Sequence, residues 1–190
     1  MRRACLKAIV LLAALAVCGT TVDSSTADTN QASSLPFTVS IVPAWSRSTG
    51  RGISMATNTL DTFYVLLTNV SQRSQAVFKP SNSWGFYALS FELREDDGHI
   101  VAISRKQTGF TRNMPSTFVI PPGEQMVFPI RLDDSWVAAA HLPIADEKPA
   151  DITLKAIYEI KPTPEATQQS VWIGRIRSGE YHFQFRHWVN

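Results

Sequence analysis

The residues with chemistry to offer are few. Serine is abundant, and the side chains able to serve a serine nucleophile as base are His99, His141, His182 and His187. A Ser/His site needs the base within hydrogen-bond reach and a third group to orient it, and on an α/β scaffold it shows as Gly-x-Ser-x-Gly. That motif does not occur in this chain. The reading is therefore a non-enzyme with no catalytic residue.

Metal and cofactor chemistry fare no better. His182 and His187 stand five residues apart, which on a strand places them on opposite faces, and zinc asks for three or four convergent ligands. The run Glu95-Asp96-Asp97-Gly98 invites calcium, but turn chemistry accounts for it and its oxygens fall short of the number calcium takes. No metal and no cofactor is assigned.

Aromatic and basic side chains remain. Ser83-Trp84-Gly85-Phe86-Tyr87 sets three rings and a glycine in a loop between strands, where rings can stack on a sugar or grip a partner peptide. The competing account is that Trp84 plugs the open end of the fold, since large aromatics are mostly buried. Trp136 and Trp172 read as core, the latter on a strand. Residues 104–115 carry Arg105, Lys106 and Arg112 beside Phe110, and residues 46–51 add Arg47 and Arg51. Convergence of these loops would build a basic, aromatic-bearing patch, and scattered loops would leave ordinary solvated charges. The candidate binding residues are thus Trp84, Phe86, Tyr87, Arg105, Phe110 and Arg112.

The elements that must hold them begin after a leader. Arg2, Arg3 and Lys7 precede an unbroken apolar run over residues 8–17. This is the form of a signal peptide, far short of the roughly 20 apolar residues that a spanning helix needs. Leu15-Ala16-Val17-Cys18 resembles a bacterial lipobox, which makes Cys18 the candidate lipidation site. Val17 stands where that motif wants a small residue, so ordinary cleavage near Ala16, Gly19 or Ala27 competes with it. The leader is read as 1–19, a polar linker as 20–34 and a folded domain as 35–190. Cys5 and Cys18 are the only cysteines, so the domain carries no disulfide. Removing Arg2, Arg3 and Lys7 leaves 15 basic against 16 acidic residues. That balance gives no electrostatic case for nucleic acid or a membrane surface.

Within 35–190 short β-rich runs alternate with turn punctuation. Eight or nine strands are expected among the runs at 37–42, 61–69, 75–78, 88–94, 100–104, 118–120, 126–132, 152–158, 171–177 and 181–185. Residues 61–69 are apolar on both faces, which predicts a central strand covered on each side. Residues 88–94 alternate, with Leu89, Phe91 and Leu93 on one face and Ser90, Glu92 and Arg94 on the other. Pro129 marks its strand as an edge or a bulge. One short helix is expected over 134–141, capped by Asp133 or Asp134. The implied fold class is all-β: an immunoglobulin-like, two-sheet antiparallel sandwich of eight or nine strands with elaborated loops. An eight-stranded barrel is the competing architecture.

Three pieces of residues 65–132 resemble the bacterial intracellular proteinase inhibitor family and related envelope sandwich domains. They are Leu67-Thr68-Asn69-Val70-Ser71, then Leu89-Ser90-Phe91-Glu92-Leu93 with Asp97-Gly98, then Ile120-Pro121-Pro122-Gly123-Glu124 before Val127. The resemblance implies a β-sandwich binding or accessory module; the export leader and residues 46–58 and 141–150 depart from that family's pattern. The expected function is a non-enzymatic, exported binding or accessory domain, periplasmic, envelope-associated or secreted, with a protein or glycan partner in the cell envelope. Two narrower functions compete with it. One is a proteinase inhibitor presenting residues 109–116, the other a glycan-binding module using Trp84, Phe86 and Tyr87.

Overall fold

The computed structural model describes residues 35–43, 45–46, 50–51, 55–56, 59–60, 62–137 and 150–185. Residues 1–34, read above as leader and linker, lie outside them, with Cys18, as do residues 138–149, His187 and the side chains of Arg47 and Arg51.

In chain order the strands are β1 (Phe37–Val42), the two-residue β2 (Trp45–Ser46), β3 (Gly50–Arg51), β4 (Met55–Ala56) and β5 (Thr59–Leu60), then β6 (Phe63–Asn69) and β7 (Gln75–Phe78). A single helical turn, α1 (Ser83–Phe86), precedes β8 (Leu89–Arg94), β9 (Ile100–Arg105), β10 (Thr117–Ile120), β11 (Gln125–Ile130) and β12 (Trp136–Val137). Then come β13 (Ala150–Ile160), a second short helix α2 (Pro164–Gln168), β14 (Gly174–Arg177) and β15 (Tyr181–Phe185).

The fold is the all-β sandwich of the immunoglobulin-like kind that the alternation predicts. One sheet runs β1-β6-β11 and the other β12-β9-β8-β13, with β14 and β15 both on the far edge of β13. β7 pairs with β10, and Ala76 forms an isolated parallel bridge to Val171. β2 pairs with β3, and β4 with β5. Among the described residues both sheets keep open edges, and no closed barrel forms.

One set of alternating side chains from each sheet fills the space between them. Phe37, Val39, Phe63, Val65, Leu67, Phe128 and Ile130 meet Leu89, Phe91, Leu93, Ile103, Leu154, Ala156 and Tyr158 in one buried cluster. Phe63 meets Phe91 edge-on across the two sheets at 5.6 Å, and Phe91 meets Trp136 edge-on within the larger sheet at 5.3 Å. Such pairs add about 1 kcal/mol each beyond their buried area.

The two pieces of sequence around Asn69 and Gly123 interlock. Asn69 is fully buried; its Nδ2 donates to the carbonyls of Arg73 and Ile120 at 2.7 and 2.8 Å. Its Oδ1 accepts from the Ser71 N–H and hydroxyl. The Gly123 N–H donates to the Asn69 carbonyl, with Gly123 at φ 77°, where glycine is the residue at ease. The exit of β6 and the entrance of β11 are thereby clamped together.

Besides α2, a helix the sequence reading does not expect, the structure differs from expectation at four places. Residues 134–137 are not helical: Asp133 accepts from the Ser135 N–H and hydroxyl in a tight turn, and Trp136–Val137 then pairs with β9. The side chain read as a helix cap caps a turn, because Trp136 must point into the core to bury its ring. Trp172 packs against the core from the coil before β14, with its ring over Gly174, and is not on a strand. Residues 83–86 are helical where a loop is expected.

The fourth difference concerns β6, which is central but covered on one face only. Tyr64 is 40% exposed and sits in register between Val42 and Pro129, and Leu66 sits between Ser40 and Val127. That exterior bears no charge, since Thr38, Thr68 and Gln125 complete its rows. β11 is the sheet edge, where Pro129 lacks the donor a central position needs.

The exterior of the larger sheet is its opposite in character. Glu92 takes Arg177 at 3.3 Å and Arg175 at 3.8 Å, and Glu180 takes Lys155 at 2.9 Å and Arg94 at 3.2 Å.

Candidate functional site

The site residues are placed by α1. Asn82, almost fully buried, caps the turn by accepting the Gly85 N–H at 3.0 Å and ties it down by donating to the Ser116 carbonyl at 2.9 Å. Gly85 presses on the strand before it so closely that a Cβ there would stand 2.2 Å from the Lys79 carbonyl oxygen. Glycine is read in the sequence as loop punctuation; it is the residue that lets α1 sit down on β7.

Successive residues of a helix point about 100° apart, so the three rings of this turn do not make one platform. Trp84 goes inward and lies on Phe78, centroids 5.8 Å apart. Behind it stands Glu165 of α2. The Glu165 carboxyl is held below the usual range by its own backbone N–H first, then by the Thr163 hydroxyl, with a weaker hydrogen bond from the Trp84 side chain. Phe86 and Tyr87 turn the other way and meet Phe110 edge-on, at 5.5 and 6.1 Å. The Tyr87 hydroxyl accepts from the Thr108 N–H at 2.9 Å and donates to the Thr108 carbonyl at 3.3 Å. The structure thus brings Phe86, Tyr87 and Phe110 together and sets Trp84 apart from them.

Arg105 joins this cluster but is already engaged. Its guanidinium lies 3.9 Å from the centre of the Trp136 ring and 5.0 Å from that of Phe86, and Nη1 donates to the Ser135 hydroxyl at 2.7 Å. Burial pushes its pKa down, and the Asp133 carboxylate works against that shift. Asp133 is held below its ordinary range chiefly by the Ser135 hydroxyl, with Arg105 adding its charge. Arg105 is a clasp between β9 and β12. Arg112 is exposed and has neither ion pair nor hydrogen bond among the described residues, and nothing places it against the rings. The side chains of Arg47 and Arg51, the other half of the expected basic patch, lie outside the described residues.

A groove opens between α1 and the ends of three strands. It has a volume of about 360 Å³ and is lined by Trp84 and Tyr87, by Ser90 and Ser104, and by Glu159 and Lys161. The register explains the grouping. Phe91 is opposite Ile103, so the next outward pair across β8 and β9 is Ser90 and Ser104. The Glu159 N–H donates to the Ala88 carbonyl at 2.8 Å, carrying β13 past the end of β8 to the same place. Glu159 lies 3.8 Å from the Arg175 guanidinium. Thr163, which caps α2 through the Ala166 N–H at 3.2 Å, closes the groove.

Of these lining residues the sequence singles out Trp84 and Tyr87, and places Ser90 outward. Ser104, Glu159 and Lys161 escape it, because each joins the groove through long-range pairing that no local pattern displays.

The remaining candidates are structural. Asp97 accepts from the His99 N–H at 2.8 Å and Gly98 takes φ 86°, so the acidic run is a hairpin turn. His182 lies 3.0 Å from the Thr153 hydroxyl on the exterior of the larger sheet. Among the described residues no three His, Cys, Asp or Glu side chains converge as a metal site would need, and no helix is long and apolar enough to cross a membrane. Comparison of the chain with family models, curated proteins and solved structures finds no match.

Proposed function

We propose that this chain is a non-enzymatic, exported binding module and that its ligand is a saccharide seated in the groove beside Trp84 and Tyr87. The observation that carries the reading is the groove itself. A sugar ring presents a flat C–H face to an aromatic side chain and a rim of hydroxyls to polar groups, and here two fixed rings stand beside Ser90, Ser104 and Glu159. Its volume lies at the small end of the ligand-pocket range of about 300–1,000 Å³, suited to the end of an oligosaccharide. Glycoside hydrolysis takes a pair of carboxylates across the bond, and one carboxylate lines this groove. The basic n-region and apolar run of the leader support export.

Titration of the processed protein with a panel of cell-wall oligosaccharides, followed by tryptophan fluorescence, tests the reading. Trp84→Ala is expected to weaken binding at least about tenfold, the loss of one well-placed aromatic contact. A flat response across the panel, in fluorescence and in calorimetry alike, would remove the saccharide.

A second reading has its own observation. Residues 106–116 are strung between anchors. The Lys106 N–H donates to Ser135, Asn113 exchanges hydrogen bonds with Ser83, and Lys79 and Asn82 donate to the Ser116 carbonyl. Met114 between these anchors is 76% exposed. A preorganised loop with an apolar tip suits a protein partner, proteinases among them. No inhibition across a panel of serine and cysteine proteinases at micromolar protein would dispose of the inhibitor.

A further inference from the structure

We infer that the groove selects a saccharide bearing a carboxylate, with Lys161 as the counter-charge, an inference that rests on the saccharide reading above. Two charged residues line the groove, Glu159 and Lys161. The acid has a partner: the Arg175 guanidinium is 3.8 Å away, on the outer face of the sheet. Glu165, behind Trp84, is held by its own N–H, the Thr163 hydroxyl and the Trp84 side chain. Arg105 is stacked between Phe86 and Trp136 on the far side of α1 and bonded to Ser135.

Lys161 alone among these charges has neither ion pair nor hydrogen bond among the described residues, although it lines the groove beside the Thr163 cap. Glu159, two residues before Lys161 at the end of β13, pairs with Arg175 instead. An ammonium with three donors and no acceptor among the described residues, in a groove that two aromatic rings and two serine hydroxyls also line, matches a hydroxylated ring that carries one negative group. A neutral sugar would leave those donors to water.

The test compares each acidic ligand with a neutral twin by calorimetry on the processed protein. Short oligogalacturonate is set against its methyl ester, and sialyllactose against lactose. The expected result is about fivefold tighter binding of at least one acid than of its neutral twin, the size of a partly exposed ion pair, with the gap closing in about 0.5 M salt. Lys161→Met keeps the stem and removes the charge, so it should erase the gap while the melting temperature stays unchanged.

Equal binding of acid and neutral forms, or neutral oligosaccharides binding where neither acid does, overturns the carboxylate preference and leaves the saccharide reading standing. A gap that persists in the Lys161→Met protein overturns Lys161 as the counter-charge. Absence of binding by every ligand, acidic or neutral, overturns the saccharide reading and this inference with it.

Discussion

Tyr158 shows most plainly how a single side chain can work against the fold that contains it. Its ring is buried between Phe128 and Trp172, and its hydroxyl has no hydrogen-bond partner among the described residues. Burial drives its pKa far above the ordinary phenol range. An unpaired buried hydroxyl costs about 1–3 kcal/mol, so Tyr158→Phe should be neutral or raise the midpoint of urea unfolding. A clear loss of stability would mean that the hydroxyl is satisfied after all. Asn69 is the converse case, with both ends of its amide bonded deep in the clamp between β6 and β11. Asn69→Ala takes its buried donor from the Ile120 carbonyl and its acceptor from the Ser71 N–H, and should cost about 3 kcal/mol in the same measurement. Asp133 lends the fold a pH dependence. Its folded pKa is depressed, chiefly by the Ser135 hydroxyl. The stability it contributes is therefore present above its unfolded value, near 4, and is lost as pH falls through the folded value. Asp133→Asn should flatten the acid limb of a melting-temperature profile by lowering the melting temperature most at neutral pH and least below the folded value.

For the elements, legibility in the sequence tracks local repetition. The alternation in 88–94 displays the facing of Leu89, Phe91 and Leu93, and with it the outward placement of Ser90. The strand at 61–69 is equally visible, but a run apolar on both faces suggests double coverage and hides the uncharged exterior around Tyr64 and Leu66. Short helices are the hard case. α1 contains Ser, Trp, Gly and Phe, none a strong helix former, and exists because Asn82 caps it and Gly85 fits against Lys79. α2 does carry a start signal, Thr163 before Pro164, which is easily passed over in a helix of only five residues. Asp133 carries a similar signal and yields a turn, since a cap residue can open a helix or a turn and does not choose between them. The groove is legible in its aromatic wall and hidden in its polar side, which tertiary pairing assembles. Gly85→Ala tests how far that wall depends on α1. A methyl 2.2 Å from a backbone oxygen cannot be accommodated, so α1 should lift off β7. The variant should keep its far-UV β signal and lose the near-UV contribution of Trp84.

Taken whole, the chain has an uncharged exterior on one sheet and a mosaic of paired charges on the other, with β13 at the heart of the second. β13 is laddered to β8 on one edge and to both β14 and β15 on the other. Those last two strands are separated by residues 178–180, and one buried side chain closes the gap. The Ser178 hydroxyl accepts the Ala156 N–H at 2.9 Å while its own N–H returns to the Ala156 carbonyl at 2.8 Å. Backbone amides that open only when everything opens exchange with deuterium slowest, and those of β13 should be the slowest in the protein. The clasp makes β14 and β15 open together as one cooperative unit. In Ser178→Ala the chain past residue 179 would come away from 150–154 before β14 leaves 157–160, and deuterium uptake along β13 would divide at Ala156 into a fast half and a slow one.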